Sequence, residues 1–135
     1  MYLPALIDTD ILSELFKGNN TVKARVSEYV KEHHSLTISQ ITKYEILKGL
    51  KAKKAQKQIN AFKTFCNANT IISITDDIII KASDIYAELR QQGETLSDAD
   101  ILVAAIAIVN NLTLITNNTK HFTRIKSLKL DNWKS

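Results

Sequence analysis

Cysteine, proline and glycine are scarce in this sequence. One Cys, one Pro and three Gly occur among 135 residues. The low Pro and Gly content excludes collagenous and low-complexity chains, and with 44% hydrophobic residues it fits an ordered globular one. A lone cysteine, Cys66, cannot form an internal disulfide, which fits a reducing compartment. No apolar run is long enough for a membrane: the longest, Ile101 to Val109, is about half of what a span needs. A signal peptide with a charged start and an apolar stretch is also missing, so the expected location is cytoplasmic. The length fits a single domain over residues 1–135.

Charge is what the chain has in excess. Eighteen Lys and Arg stand against 14 Asp and Glu, a net of +4. The excess is clustered. Seven lysines and one acid, Glu45, lie between Lys43 and Lys63, and five bases with one acid lie between Lys120 and Lys134. Clustered bases suit a polyanionic partner through phosphate contacts and counterion release, although a solvated helix face has the same composition.

Hydrophobic spacing gives the architecture. Short apolar runs at Leu3–Ile7, Leu36–Ser39, Ile71–Ile74 and Leu112–Ile115 read as strands, with Leu128–Leu130 as a further candidate. Between them, helical spacing predicts helices over Ile11–Phe16, Thr21–His33, Gln40–Leu50, Ala55–Ala68 and Asp76–Gln91. Asp98–Asn110 is apolar nearly all round and predicts a buried helix. Strands alternating with helices predict an α/β fold: a short parallel sheet of four to five strands flanked by helices in three layers. Open sheets of this kind bind ligands at the carboxyl ends of their strands.

Acids occupy that edge. Asp8 follows the first strand, with Asp10 two residues on. Helix capping would account for Asp10 and leave Asp8 as loop. Glu45 sits between Tyr44 and Ile46 on a helix and leans inward, where a carboxylate needs a cation or takes up a proton. A lysine partner would be the structural alternative. Asp98 and Asp100 open the buried helix, where Ser97 and Asp100 also read as a capping box. Thr116, Asn117, Asn118 and Thr119 follow the fourth strand as a polar turn. Carboxylates converging in one crevice repel one another unless a divalent cation sits among them, and all-oxygen ligands select Mg²⁺ or Mn²⁺. His33, His34 and His121 are too scattered for a zinc site. A Mg²⁺ site beside a lysine-rich surface suggests phosphodiester cleavage.

Four ordered segments carry a family likeness: Leu6-Ile7-Asp8-Thr9-Asp10-Ile11-Leu12, Tyr44-Glu45-Ile46-Leu47-Lys48-Gly49-Leu50, Asp98-Ala99-Asp100-Ile101-Leu102-Val103-Ala104-Ala105, and Leu114-Ile115-Thr116-Asn117-Asn118-Thr119-Lys120-His121-Phe122. Together they resemble the PIN-domain nucleases, and within them the VapC-type toxins of toxin–antitoxin pairs. The resemblance implies a Mg²⁺-dependent endoribonuclease that inhibits translation and is silenced by an antitoxin. It implies Asp8, Glu45 and Asp100 as metal-binding acids and Asn118 at the site of a fourth polar or acidic residue, while Asp98 is a further metal-ligand candidate by its place at the start of the buried helix alone. Many relatives have Asp where this chain has Asn118, and often an acid where it has His121. A homodimer is also implied, as is an apolar antitoxin groove here involving Leu12, Leu15, Phe16 and the Lys51–Phe65 hairpin.

Other readings of the same residues stay open at this point. Asp8-Thr9-Asp10 after a strand has the form used by haloacid-dehalogenase-like phosphatases, with Asp8 as nucleophile and Asp10 as acid. Ile11-Leu12 then stands where Gly-Thr is expected. A receiver domain would want its acceptor Asp on a mid-chain strand. The basic chain could also be a non-catalytic RNA-binding module.

Overall fold

A computed structural model describes residues 1–135. The chain runs β1 (Ala5–Ile7), α1 (Thr9–Phe16), α2 (Asn20–His33), β2 (Thr37–Ser39), α3 (Gln40–Ala52), α4 (Gln56–Ala68), β3 (Thr70–Ile72), α5 (Asp76–Gln91), α6 (Asp98–Val109), β4 (Thr113–Ile115), α7 (Thr119–Phe122) and β5 (Leu130–Asp131). All strand pairs are parallel, in two ladders ordered β1-β4-β5 and β2-β3. β1 lies beside β2, so the two ladders share one layer. The expected short parallel sheet flanked by helices is therefore present, divided into two hydrogen-bonded parts.

Strand limits move for local reasons. Thr113 N–H donates to the Pro4 carbonyl, so pairing starts at Pro4 and exposed Leu3 stays outside β1. Ile74 leaves β3 because its N–H donates to the Gln40 side chain at 3.1 Å. Leu128 closes a turn onto Ile125 and is buried there, which shifts β5 to Leu130–Asp131.

α6 explains the core. Ile101 and Val103 through Ala107 are all buried on it, and the small Ala104, Ala105 and Ala107 let it pack closely between the sheet and α5. Its first turn is not buried, and it brings Asp100 near enough to the carboxyl edge of the sheet for its charge to act on Asp8. On the other face, Trp133 is fully buried and stacks its ring edges near Tyr2 and Tyr29, at 5.6 and 5.4 Å between centroids. The C-terminal residues thereby close the core over α2.

The ladders continue one residue past the strand ends. Asp8 N–H donates to the Ile115 carbonyl at 2.9 Å, and Thr116 N–H to the Asp131 carbonyl at 3.0 Å. These two bonds fix Asp8 and Thr116 side by side on that edge.

Candidate active site

Asp8 does more than sit in a loop. It is the N-cap residue of α1, and its Oδ1 accepts from Thr9 N–H at 2.9 Å. Its Oδ2 accepts from the buried Thr116 hydroxyl at 2.9 Å. Burial raises its pKa to about 6, with the charges of Asp10 and Asp100 adding to the effect against the lowering by these hydrogen bonds. Asp10 is also raised by burial, while Asn117 N–H, Ile11 N–H and Thr116 lower it. Its Oδ1 accepts from Ile11 N–H at 2.8 Å and its Oδ2 from Asn117 N–H at 3.0 Å. The Thr116 hydroxyl has one proton for two carboxylates. It lies 2.9 Å from Asp8 and 3.4 Å from Asp10, so Asp8 receives it.

Glu45 has no lysine partner; its carboxylate is held by a hydroxyl. Thr9 Oγ1 donates to Glu45 Oε1 at 2.6 Å and lies 3.0 Å from Thr42 Oγ1. With the Thr9 proton committed to the carboxylate, Thr42 supplies the donor of the second bond. Ser39 Oγ stands 3.4 Å from Thr42 Oγ1 and accepts from Thr42 N–H at 3.0 Å. Ser39 and Thr42 are both buried polar residues, so this line of hydroxyls ends inside the protein.

Asp100 completes the edge. Ser97 caps α6 by accepting from Asp100 N–H at 3.2 Å, which is half of the expected capping box. The Asp100 carboxylate is turned elsewhere: its Oδ2 lies 3.0 Å from His121 Nε2. The structure separates Asp98 from this set. Two residues along a helix are about 200° apart, so only one of the pair can face Asp8. Asp98 is exposed and lines a cavity of about 370 Å³ against Ile79, Ser83 and Tyr86 of α5. Asn118 is at the edge but exposed. Its N–H donates to Thr116 Oγ1 at 3.1 Å, and its side chain caps nothing.

Thr9 and Thr116 therefore join Asp8, Asp10 and Glu45 along the edge, while Asp100 is held by His121 and reaches Asp8 through its charge alone. As the side chains lie, no three acidic, histidine or cysteine groups converge at metal-ligating distance, because each carboxylate is turned to its own donor. The donor set is all oxygen apart from His121, and burial, with the charges of Asp10 and Asp100 added, raises Asp8, which fits a hard divalent cation. The sequence pattern under-weighted Asp10, Thr9 and Thr116. The signal that could have found them was position: each lies within three residues past a strand end.

A groove opens beside Glu45. It has a volume of about 540 Å³ between α1 and the α3–α4 hairpin, with Phe16, Ile46, Leu50 and Phe62 as its apolar wall and Lys17 and Lys53 at the rim. Phe16 packs edge-on against Phe62 and Phe65, at 6.0 and 5.3 Å. Leu12, expected in such a groove, is fully buried in the core instead, because it faces the sheet from α1.

A parallel α/β domain with linked acids at its carboxyl edge defines the class of acidic-cleft α/β proteins. The family model described as the PIN domain matches residues 5–128. The chain belongs to the PIN-domain family. It is 37% identical to Ribonuclease VapC1 of Methanocaldococcus jannaschii over 125 residues, covering 93% of this chain and 83% of that protein. It is 33% identical to Ribonuclease VapC2 of Rickettsia felis, over 78% of this chain and 80% of that protein. Among solved structures it is similar to VapBC2 from Rickettsia felis bound to a promoter DNA fragment, with a TM-score of 0.86 and 28% identity over 97% of this chain and 99% of that one. VapBC-1 from nontypeable Haemophilus influenzae also gives 0.86, at 25% identity over 98% and 100% of the two chains. Neither the phosphatase reading of Asp8 and Asp10 nor the reading of the basic chain as a non-catalytic RNA-binding module has support in these similarities. No helix is long and apolar enough to cross a membrane.

Proposed function

We propose that this chain is a divalent-metal-dependent endoribonuclease and the toxin of a toxin–antitoxin pair. The observation that carries the reading is Asp8: a carboxylate at the strand edge whose pKa is pushed up to about 6 by burial and by two neighbouring acids. That is a site with negative charge in want of a cation. Asp8, Glu45 and Asp100 would hold Mg²⁺, or Mn²⁺ in its place, after Asp100 turns from His121. A bound divalent cation supplies positive charge for the phosphate and lowers the pKa of water. Thr116 holds Asp8 in place, and the Thr9–Thr42–Ser39 hydroxyls hold Glu45. Asn118 offers a free amide to a substrate phosphate. The direct test is cleavage of purified cellular RNA with Mg²⁺ and with EDTA. Cleavage that survives EDTA contradicts the reading.

The surface around the cleft supports an RNA substrate. None of the seven lysines between Lys43 and Lys63 is in an ion pair; the pairs present are His121–Asp100, Arg124–Glu94 and Lys134–Glu14. Replacing Lys48, Lys51, Lys53 and Lys54 together by Gln is expected to weaken RNA binding and to flatten its salt dependence, by about 0.7 in log–log slope per lost phosphate contact. Titration of labelled RNA at several salt concentrations measures it. An unchanged slope would make these lysines a solvated face only.

The groove beside Glu45 suits an apolar antitoxin segment, and its rim lysines favour acidic residues on it. A homodimer is supported by α5. Ile80 and Tyr86 are exposed on it, at 55% and 47%. They are equally spaced about Ser83, as are Asp76 and Arg90. Two antiparallel copies of α5 crossing at Ser83 would place each Ile80 on the other copy's Tyr86 and each Asp76 near the other's Arg90, a self-complementary two-fold contact. Ile80→Lys is expected to yield a monomer by sedimentation, whereas a dimer that persists in Ile80→Lys and in Tyr86→Lys places the interface elsewhere.

A further inference from the structure

Tyr44 is the most exposed aromatic residue of the chain, at 62%, and it immediately precedes Glu45 on α3. Lys48 Nζ stands 5.0 Å from the centroid of its ring. The ammonium pre-orients the ring without burying it, a cation–π contact of the kind found at exposed sites. Successive helix positions differ by about 100°, so Lys48 projects between Tyr44 and Glu45 around the α3 axis. Ile46, Gly49, Leu50 and Lys53 lie on the opposite flank of Glu45 and line the groove described above. Glu45 thus divides α3 into an apolar groove side and a side with one open aromatic ring and a free lysine.

A large apolar ring left in water beside a cationic side chain matches what single-stranded nucleic acid needs: a π-face for a base and a charge for the adjoining phosphate. We propose that Tyr44 is the stacking platform for one base of a single-stranded RNA, with Lys48 on the neighbouring phosphate, so that the strand enters the cleft past Tyr44. This rests on the ribonuclease reading for its substrate class. A protein partner on the same side is the competing occupant. It is disfavoured because the apolar residues three positions either side of Tyr44 on α3, Ile41 and Leu47, are half-buried, whereas an antitoxin segment finds Phe16, Ile46, Leu50 and Phe62 in the groove across Glu45.

The test measures binding in the Asp8→Asn background, with a short unstructured fluorescein-labelled oligoribonucleotide. Tyr44→Ala is expected to weaken binding about 10- to 100-fold, the range of one base–aromatic stack. Tyr44→Phe and Tyr44→Trp restore it. In Tyr44→Trp the added indole fluorescence is quenched by RNA, over the background of buried Trp133. The salt slope stays as in the parent for Tyr44→Ala and drops for Lys48→Gln. An oligonucleotide with abasic positions removes the penalty of Tyr44→Ala. Parent-like binding by Tyr44→Ala, failure of Tyr44→Phe to restore it, or an equal penalty on a fully double-stranded RNA each overturns the proposal. So does loss of a co-expressed antitoxin from Tyr44→Ala with RNA binding intact. The two readings fail separately. A parent that cleaves RNA while Tyr44→Ala binds normally loses only this subsite. A parent that binds RNA through Tyr44 but shows no metal-dependent cleavage loses only the nuclease.

Discussion

Asp8→Asn is expected to abolish RNA cleavage and to stabilise the metal-free protein at neutral pH. The first effect follows from chemistry that needs several anions around one cation; removing a single preorganised charge of this kind costs about 10²- to 10³-fold or more. Glu45→Gln and Asp100→Asn are expected to act alike. The second effect has the opposite sign because Asp8 is raised from 3.8 to about 6 in the folded chain. Between those values the native state holds a proton that the unfolded chain has lost. Stability of the metal-free protein therefore falls as pH rises from about 4 through about 6, and stays low above that. The shift corresponds to at most about 3 kcal/mol, which Asn, uncharged and of the same shape, does not incur. Thermal melts of both proteins in EDTA across this pH range measure it. The parent should melt lower at pH 7 than at pH 5, and Asp8→Asn should show a much smaller difference. A parent whose melting temperature rises over that interval would mean that Asp8 is not strained by its neighbours. A variant that loses activity and stability together would mean that Asp8 is structural.

The residues behind this expected opposition differ in how legible they were in the sequence. Asp8 and Glu45 stood out as candidates because each breaks a local rule, an acid at a buried strand end and an acid on an inward helix face, whereas Asp100 obeys the rule for a helix start and stood out because the helix it opens is apolar nearly all round. The fold was legible for the same reason, since period-2 and period-3.6 spacing leave few alternatives to a parallel α/β core. What spacing could not give was the third dimension. Thr116 lies 108 positions from Asp8, and only the register of β1 on β4 brings its hydroxyl to the carboxylate. Thr9 obeys every local rule as an ordinary first-turn residue, and its link to Glu45 depends on how α1 crosses α3. Asp10 looked like a simple cap because the Asn117 N–H that donates to its carboxylate comes from the turn after β4, remote in the sequence. Asp98 misled in the other direction. Its composition matched Asp100, but the turn of α6 sends it to the α5 side. Strand ends moved by one or two residues because side chains such as Gln40, absent from any strand pattern, took over the last backbone donors.

The RNA-free protein is expected to bind one divalent cation per chain and to melt higher when it does. Four carboxylates stand along the edge, which by charge alone would suit two cations. Asp10 is not available, since both its oxygens accept backbone N–H groups at 2.8 and 3.0 Å and so orient the Asn117 turn. Asp8, Glu45 and Asp100 remain, a charge that one divalent ion nearly balances. Asn118 can offer a carbonyl oxygen but no charge, so a second ion would need the substrate phosphate to stay bound. Asn118→Ala should therefore slow cleavage more than it weakens the first cation. Saturation at about 100 times Kd adds about 2.7 kcal/mol by mass action. For a domain of this size that raises Tm by about 5–10 °C, and Asp8→Asn should lose most of the rise. Calorimetric titration of Mn²⁺ into RNA-free protein decides the stoichiometry. One site per chain, retained in Asn118→Ala and lost in Asp100→Asn, is the expected result. Two sites per chain that persist in Asn118→Ala would bring Asp10 into the coordination shell and overturn its assignment to the turn.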